Sequence, residues 1–154
     1  MNGMKIKLDE GAKMPTKAYA TDAGFDIYSR EDKVVPAGGS AIFDTGVHID
    51  LPSFAVNSGG DFRFSMKFLT AGVLASKSGL NVKHNITSEG VVDIGFNGSI
   101  IVKLYNHGDT DYEVKKGDKI TQLLIVPILP VELELVDELV GGERGSNGFG
   151  SSGK

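Results

Sequence analysis

Asp93 is a candidate catalytic or ligand-binding acid because of where it stands in the chain. It ends the β-branched run of Val91 and Val92, within the stretch Gly-Val-Val-Asp-Ile-Gly-Phe-Asn-Gly that covers residues 90–98. Gly and Asn tolerate the positive φ that a tight hairpin requires, so we predict that residues 95–98 reverse the chain before a second strand over residues 99–104. An acid there lies at the rim of the core, partly desolvated and within reach of a ligand. On this stretch alone, a turn carboxylate that caps backbone amides is the simpler interpretation.

Two further stretches offer polar groups to an anionic ligand. Residues 76–79 read Ser-Lys-Ser-Gly, which places a hydroxyl on each side of Lys77 and lets backbone amides approach an anion closely at Gly79. This tetrapeptide is common and carries little weight alone. Gln122 interrupts an apolar run over residues 120–126, where its amide needs a partner, either a backbone group of the core or a ligand.

The tail over residues 141–154 contains two apparent phosphate-binding motifs that we reject. Residues 148–153 match G-x-G-x-x-G, and residues 148–154 nearly match a P-loop, but both motifs act at the N-terminus of a following helix, which we do not expect here. A glycine-rich tail can instead fold over a ligand, with Arg144 gripping a phosphate and Phe149 stacking on a base. Composition alone favours a disordered terminus.

Composition excludes several other kinds of site. The chain has no cysteine, so a disulfide, a thiolate metal site and a cysteine nucleophile are impossible. The three histidines, His48, His84 and His107, show no metal-ligand spacing, and we expect them to be structural or solvated. A net charge of −4 argues against a broad nucleic-acid surface, and no apolar run approaches the ~20 residues of a membrane span. We therefore expect a cytoplasmic protein that binds neither nucleic acid nor membranes.

The elements that position these candidates are predicted to be strands. Glycines, 21 in 154 residues, punctuate β-rich segments of a chain long enough for one domain. Alternating or β-branched runs predict strands over residues 4–8, 25–28, 33–35, 40–51 with a break at Gly46, 62–68, 112–114, 119–128 and 131–136. One short helix is predicted close to residues 76–84, with Ser78 as its N-cap. The pattern predicts an all-β fold, either a sandwich, a jelly roll or a barrel.

In chain order, five of these stretches resemble the motifs of the trimeric dUTPases, the dUTP nucleotidohydrolases. They are Ala-Thr-Asp-Ala-Gly-Phe-Asp-Ile-Tyr-Ser at residues 20–29, Ser-Lys-Ser-Gly-Leu at 76–80, Gly-Val-Val-Asp-Ile-Gly-Phe-Asn-Gly at 90–98, Gly-Asp-Lys-Ile-Thr-Gln-Leu-Leu at 117–124 and Arg-Gly-Ser-Asn-Gly-Phe-Gly-Ser-Ser-Gly at 144–153. The resemblance spans almost the whole chain at nearly the family's spacing. It implies an all-β, jelly-roll-like dUTPase fold (a β-clip) and a homotrimer in which the C-terminal tail is exchanged between subunits. It also implies a β domain over residues 1–140 and a flexible glycine-rich lid over residues 141–154.

The reaction implied by this resemblance is the hydrolysis of dUTP to dUMP and pyrophosphate. Asp93 is implied as the general base that activates the water attacking the α-phosphorus. Mg²⁺ is implied as a cofactor held by the triphosphate and by water, with no direct protein ligand. The implied phosphate-binding residues are Lys77, Ser78, Gly79, Gln122, Arg144, Ser151 and Ser152. The implied nucleoside-binding residues are Gly90, Val91 and Val92, which read uracil through the backbone, Phe96 against the deoxyribose, and Phe149 stacked on the uracil. Asp26 is implied as a supporting acid that positions Arg144.

Three departures from the family pattern matter. Lys77 stands where the family usually has Arg, which keeps the charge but loses bidentate phosphate geometry. Phe96 stands where the family usually has Tyr, which keeps the ring and drops the hydroxyl. Residues 51–75 form a longer link than usual, and we predict an inserted hairpin at about residues 56–68.

Two other functions are weighed against hydrolysis. A dCTP deaminase shares the fold but requires a glutamate at the base, and Glu89 is the only acid near the base-reading stretch. A regulatory protein that binds dUTP and then engages a protein partner, as yet unknown, is the other alternative, and residues 56–68 would serve it.

Overall fold

The computed structural model describes residues 3–57 and 65–139 and shows strands with one short helix. The elements in chain order are β1 (Lys5–Leu8), β2 (Gly24–Tyr28), β3 (Lys33–Val35), β4 (Ser40–Asp44), β5 (Val47–Asp50), β6 (Phe54–Asn57), β7 (Ser65–Ala75), α1 (Ser78–His84), β8 (Ile86–Val92), β9 (Ile101–Asn106), β10 (Tyr112–Val114) and β11 (Lys119–Ile128). The predicted all-β class is therefore confirmed.

The largest sheet collects the strands that carry most of the candidate residues. Its strands follow the order β2-β11-β7-β8-β9-β4, with β6 paired to β7 off this path, and two-stranded sheets β1-β5 and β3-β10 accompany it. All of these pairs are antiparallel. Because β7 lies between β11 and β8, the chain that leaves β7 at Lys77 does so beside the strands that carry Gln122 and Val92.

The core is built from the inward-facing side chains of these strands. Strand β9 shows the alternation clearly, since Val102, Leu104 and Asn106 are buried while Ile101 and Lys103 are exposed. The buried cluster joins residues of both small sheets to the large one, including Ile27, Val35, Phe43, Val47, Ile49, Val102, Leu104, Val114, Ile120 and Leu123. Each such side chain contributes about 1.5–3 kcal/mol through burial, so the strands are held in register by a shared core.

The β6–β7 segment extends the sheet on both sides of residues 58–64. Strand β6 pairs with the start of β7, from Phe54 opposite Phe68 to Asn57 opposite Ser65. Two arms of a hairpin are thus present where an insertion was predicted. Residues 58–64, which include Phe62 and Phe64 of the predicted strand, lie outside the described residues. The division into a β domain and a C-terminal lid at residue 140 stays a prediction.

The predicted N-cap of the helix is wrong by one residue. Lys77 occupies the N-cap position with an extended backbone (φ −71°, ψ 124°), and no side chain of the described residues caps it. The amide of Asn81 donates to the carbonyl oxygen of Lys77 at 2.9 Å, so the first turn closes on Lys77 and Ser78 is already helical. The helix ends at Asn85, whose left-handed backbone (φ 56°) is one that Asn adopts readily.

The predicted strand over residues 131–136 is not formed in the described part of this single chain. Val131 is 76%, Leu133 96% and Leu135 99% exposed. Alternating apolar residues form a strand only where a sheet edge accepts their backbone hydrogen bonds. The apolar side chains of residues 129–139, which we call the C-terminal arm, are consequently left facing solvent.

Candidate active site

Asp93 opens a loop over residues 93–100, the Asp93 loop, which is wider than the tight hairpin predicted. Strands β8 and β9 pair only from Ile86–Asn106 to Ser88–Leu104, and residues 89–92 pair with β7 instead. The two strands therefore separate well before the loop, and β9 begins at Ile101. A local turn remains, since the Phe96 amide donates to the Asp93 carbonyl oxygen at 3.1 Å and Gly95 has a φ of +88°.

The separation of β8 from β9 creates a cavity of about 230 Å³. It is lined by Leu74, Gly90, Val91, Val92, Asp93, Phe96, Ser99, Ile100 and Ile101. Within the described chain, no strand pairs with the β9-facing edge of residues 89–92, so backbone N–H and C=O groups of this edge are free for a ligand. The structure thus brings Asp93 together with all the predicted nucleoside-binding residues that it describes. Asp93 itself is exposed in the single chain, not partly desolvated as predicted.

The ring of Phe96 is positioned by a missing side chain at Gly98. A Cβ atom on Gly98 would lie 2.6 Å from Phe96 Cζ and 3.0 Å from Phe96 Cε2, closer than packed carbon atoms approach. Glycine at this position therefore allows the ring to fold back over the loop. Phe96 remains 47% exposed, so it is accessible to a ligand.

A second site, the Asp26 cluster, consists of one carboxylate and two lysines. Lys77, at the N-cap of α1, donates to Asp26 Oδ1, and Lys119 Nζ lies 2.7 Å from Asp26 Oδ2. The Asp26 side chain is only 10% exposed. Burial by itself raises the pKa of Asp26, but hydrogen bonds and charges from Lys119 and Lys77 outweigh burial and hold it below the ordinary value of 3.8. The cluster carries an excess of one positive charge, which suits an anionic ligand.

Gln122 lies beside the Asp26 cluster. It stands opposite Asp26 on β2 and opposite Ala75 at the end of β7. Its side chain packs against Gly24, where a Cβ atom would meet Gln122 Oε1 at 3.3 Å. Lys77 and Gln122, predicted to bind phosphate, are thus close to Asp26, and Ser78 and Gly79 follow Lys77 as exposed residues in the first turn of α1.

Sequence reasoning missed Lys119 as a partner of Asp26. Lys119 belongs to the fourth dUTPase-like stretch but carries no signal of its own, since a lysine at the start of a strand is usually solvated. Only the pairing of β2 with β11 places it beside the carboxylate. The predicted role of Asp26 in positioning Arg144 lies outside the described residues, as do Arg144, Phe149, Ser151 and Ser152.

The Asp93 cavity and the Asp26 cluster are separate sites within one chain. None of the predicted phosphate-binding residues that the structure describes lines the cavity, and neither does Asp26. Glu89 lines a different cavity of about 500 Å³, with Ser76, Thr87, Ser88, Tyr105 and His107. Across residues 3–57 and 65–139, no group of three or more His, Cys, Asp or Glu side chains is arranged to hold a metal ion. No described helix is long and apolar enough to cross a membrane.

Comparison with known proteins finds dUTPases over nearly the whole length of the chain. A family model described as dUTPase matches residues 10–58 and 61–153. The deoxyuridine 5'-triphosphate nucleotidohydrolase of Clostridium acetobutylicum is 40% identical over 157 residues, covering 99% of this chain and 98% of the relative. That of Kluyveromyces lactis is 40% identical over 156 residues, covering 99% and 95%.

Solved structures of phage dUTPases are similar over most or all of the chain. The dUTPase of Staphylococcus bacteriophage 80alpha with dUPNHPP gives a TM-score of 0.83 at 29% identity, covering 100% of both chains. A mutant dUTPase from phage phi11 of S. aureus gives a TM-score of 0.74 at 27% identity, covering 91% of this chain and 100% of that one, and its structure is described as revealing the coordination of a structural Mg(II) ion.

We expect the Asp26 cluster to stabilise the fold in a pH-dependent way. Because the pKa of Asp26 is held below 3.8 in the folded chain, its contribution is full above that pH and is lost as the pH falls through the lowered pKa. The Asp26→Asn variant should therefore melt roughly 4–8 °C below the wild type at pH 7. The difference should shrink when circular dichroism melts are repeated below pH 3.8.

Asp50→Asn is the matched control for this experiment. The Asp50 carboxylate pairs with Lys5 at 3.8 Å, but both side chains are mostly exposed, so the melting temperature should hardly change. A gap between Asp26→Asn and the wild type that stays constant from pH 7 to pH 3 would contradict the assigned role of the carboxylate charge.

Proposed function

The chain belongs to the dUTPase family and hydrolyses dUTP to dUMP and pyrophosphate, and from this premise we propose that Asp93 is the general base of the reaction. The observation that carries the proposal is the Asp93 cavity. It joins a free strand edge, an aromatic ring and one carboxylate. The edge and the ring can hold a nucleoside, and the carboxylate beside them can act as the general base. The exposed carboxylate at its rim reaches solvent, from which the attacking water comes.

The free edge of β8 is proposed to read the uracil ring. Uracil presents one N–H donor between two carbonyl acceptors, and residues 90–92 offer backbone acceptors and donors without requiring polar side chains. The Phe96 ring then packs on the deoxyribose. A ribose 2′-hydroxyl placed against this ring loses its water and finds no polar partner, which disfavours UTP.

Asp93 is proposed to take a proton from the water that attacks the α-phosphorus. The water oxygen bonds to phosphorus as its proton passes to an Asp93 carboxylate oxygen. The bond from the α-phosphorus to the oxygen that bridges it to the β-phosphorus breaks, and its electrons leave with pyrophosphate. A correctly placed carboxylate of this kind typically contributes about 10²–10⁴-fold to the rate.

The Asp26 cluster is proposed to bind the phosphates, with Lys77 as the residue that contacts them. Lys119 keeps Asp26 neutralised, so Lys77 is able to turn from the carboxylate towards a phosphate without leaving a buried negative charge unpaired. Ser78, Gly79 and Gln122 add hydroxyl, backbone and amide donors. Arg144, Ser151 and Ser152 on the phosphates and Phe149 on the uracil remain proposals for the C-terminal lid.

A homotrimer is proposed because one chain holds two halves of a site that do not meet. The Asp93 cavity and the Asp26 cluster are both needed for one substrate, and association of chains brings a cavity from one to a cluster from another. The C-terminal arm supports this proposal, since Val131, Leu133 and Leu135 face solvent in one chain. Burying each of them against a second chain is worth about 1.5–3 kcal/mol.

Magnesium is proposed to arrive as part of the substrate, chelated by the triphosphate. Among the described side chains no cluster of three metal ligands is present. Asp26, the buried carboxylate of the phosphate site, is already held by two lysines, so it is not free to ligate a cation directly. This arrangement supports the proposal that the magnesium ion enters the site with dUTP.

The alternatives differ in how well the geometry supports them. Deamination of dCTP is not favoured, because Glu89 lines a different cavity from Asp93. A second, regulatory function in the nucleotide-bound state is a proposal that rests on the paired arms of β6 and β7. The 80alpha neighbour also supports it, because its structure is reported with the statement that phage dUTPases control transfer of virulence genes. A cytoplasmic location is likewise proposed.

Replacing Asp93 by Asn should abolish most of the activity while leaving the substrate site intact. We expect pyrophosphate release from Mg·dUTP to fall by about 10²–10⁴-fold, with the affinity for dUTP nearly unchanged. Wild-type release should be strong for dUTP and weak for dCTP, dTTP and UTP. Asp109→Asn, an exposed acid that does not line the Asp93 cavity, should keep the wild-type rate. Full activity of Asp93→Asn, or ammonia released from dCTP by the wild type, would contradict the assignment.

Replacing Gly98 by Ala should weaken discrimination between dUTP and UTP. The new Cβ atom would lie 2.6 Å from Phe96 Cζ, so the ring must move from the place proposed for the deoxyribose. We expect the ratio of kcat/KM for dUTP over UTP to fall about tenfold. Phe96→Leu should lower it similarly, and the double variant should show no further loss, because both changes remove the same contact. Additive losses would contradict this account of Gly98.

Replacing Leu133 and Leu135 together by Glu should disrupt the proposed trimer. Two charges would then have to be buried at the interface, which costs several kcal/mol. Sedimentation equilibrium should show a trimer for the wild type and smaller species for the variant, with a matching loss of dUTP hydrolysis. Glu134→Gln, between them, should remain trimeric. A wild-type chain that is monomeric and fully active would overturn the proposal.

A further inference from the structure

His48 connects the Asp93 loop to another part of the fold. It lies on β5, and its Nδ1 is 2.8 Å from the carbonyl oxygen of Asn97. Its Nε2 is 2.9 Å from Asp9 Oδ2. The side chain is 17% exposed, and each ring nitrogen has a partner in the protein. None of these three residues was predicted to take part in the site.

Both partners of His48 are hydrogen-bond acceptors. A backbone carbonyl oxygen only accepts, and an ionised carboxylate also only accepts. Neutral imidazole has one N–H and satisfies one of them, whereas imidazolium donates to both. The observed geometry, with both distances below 3 Å, is therefore complete only when His48 is protonated.

The two partners are held differently by the chain. Asp9 is fixed in a turn after β1, because its amide donates to the Gly46 carbonyl oxygen at 2.8 Å and its own carbonyl accepts from Ala12 at 3.1 Å. Asn97 lies in the Asp93 loop, between exposed Phe96 and the end of the loop, where the Ile100 amide donates to the Val47 carbonyl oxygen at 2.8 Å. The His48 contact thus extends the anchoring of the loop to the residue next to Phe96.

We propose that His48 is a positioning residue for dUTP hydrolysis, which as imidazolium holds Asn97, and through it the Phe96 end of the Asp93 loop, in the conformation that binds substrate. This inference rests on the proposed function of Phe96 and Asp93. Loss of the proton removes one of the two hydrogen bonds and loosens the loop. The loop residues then bind the nucleoside less tightly, so the effect appears mainly in KM.

The two hydrogen bonds of protonated His48, to Asp9 and to Asn97, are called the His48 bridge. The charges around His48 set the pH range in which this bridge is complete. Asp9 faces His48 from the end of β1, and Lys7 stands opposite it in the β1–β5 pair. Lys5 and Asp50 line the same cavity as His48. The Asp93 loop presents the Asn97 carbonyl oxygen. Hydrogen bonds to Asp9 and Asn97 raise the pKa of His48 above its ordinary value of 6.5, against the opposing effects of burial and Lys7.

The hydrogen bonds of His48 depend on pH, because the pKa of His48 is raised and the pKa of Asp9 is lowered. A raised pKa for His48 means that the bridge is complete below that value and is lost as the pH rises through it. The pKa of Asp9 is lowered from 3.8, chiefly by its hydrogen bond to His48, so the carboxylate end fails only in stronger acid. The bridge therefore opens on the alkaline side under ordinary conditions.

The test combines an NMR titration with enzyme kinetics on the full chain. The imidazole resonances of the three histidines are assigned from His→Gln variants and followed from pH 5 to pH 9, together with the Asn97 backbone amide. Initial rates with Mg·dUTP give KM over the same range. We expect a His48 pKa above 6.5, an Asn97 amide that shifts with the same midpoint, and a KM that rises roughly two- to tenfold through it.

Variants separate a positioning role from a general structural one. His48→Gln should remove the step in KM and give a high KM at all pH values. Asp9→Asn should move the His48 pKa and the KM step together to lower pH, because the negative charge is gone. His84→Gln, whose ring packs on Tyr112 at 5.0 Å between centroids, should keep the wild-type pH profile. Melting curves confirm that each variant is folded.

Several outcomes would overturn the inference. A His48 pKa at or below 6.5, an Asn97 amide that does not follow it, or a His48→Gln enzyme that keeps the wild-type KM step each contradicts it. If the enzyme lacks activity on dUTP, the proposed function fails, yet the titration of His48 and Asn97 still decides whether the bridge exists. The two failures are therefore distinguishable.

Discussion

Strand β8 changes its partner along its length, and the candidate site depends on that change. Its first residues pair with β9 and its last residues pair with β7, which leaves one edge of residues 89–92 free beside a cavity. The change is possible because β7 approaches closely at Gly72, where a Cβ atom would lie 2.9 Å from Leu123 Cδ1 and 3.2 Å from Val92 Cβ. A larger residue there would push β8 away from β7. The shape of the Asp93 cavity thus depends on the close packing of β7 against β8, and both strands line it.

The Asp26 cluster holds a buried negative charge by means of two lysines. Burying Asp26 is costly by itself, and two lysines from different elements are needed to keep it ionised. Such a cluster contributes less to stability than an apolar core of the same size would. In the proposed function, its value lies in holding two cationic groups close together where the phosphates of dUTP bind. On this proposal, the fold gives up some stability in order to keep the two lysines in place for a ligand.

Local patterns in the sequence predicted most of the strands because their signals lie within each segment. The strand predicted over residues 119–128 matches β11 residue for residue, and the turn at Gly117 has the φ of +91° that favours glycine. What the sequence did not reveal are pairings between distant segments. The separation of β8 from β9, the contact of Lys119 with Asp26 and that of His48 with Asn97 all depend on strand register. The prediction for residues 131–136 failed for a related reason, since a strand requires an edge that this chain alone does not provide.

The division of the proposed site between the Asp93 cavity and the Asp26 cluster has a consequence for mixtures of subunits. If association joins the cavity of one chain to the cluster of another, a chain with a damaged cavity still contributes an intact cluster. Two inactive proteins, one altered at each half, would then regain partial activity when their subunits are exchanged, because some of the joined sites contain two intact halves. Genetic dominance would follow the same rule, since one defective subunit would impair neighbouring sites selectively and leave others working.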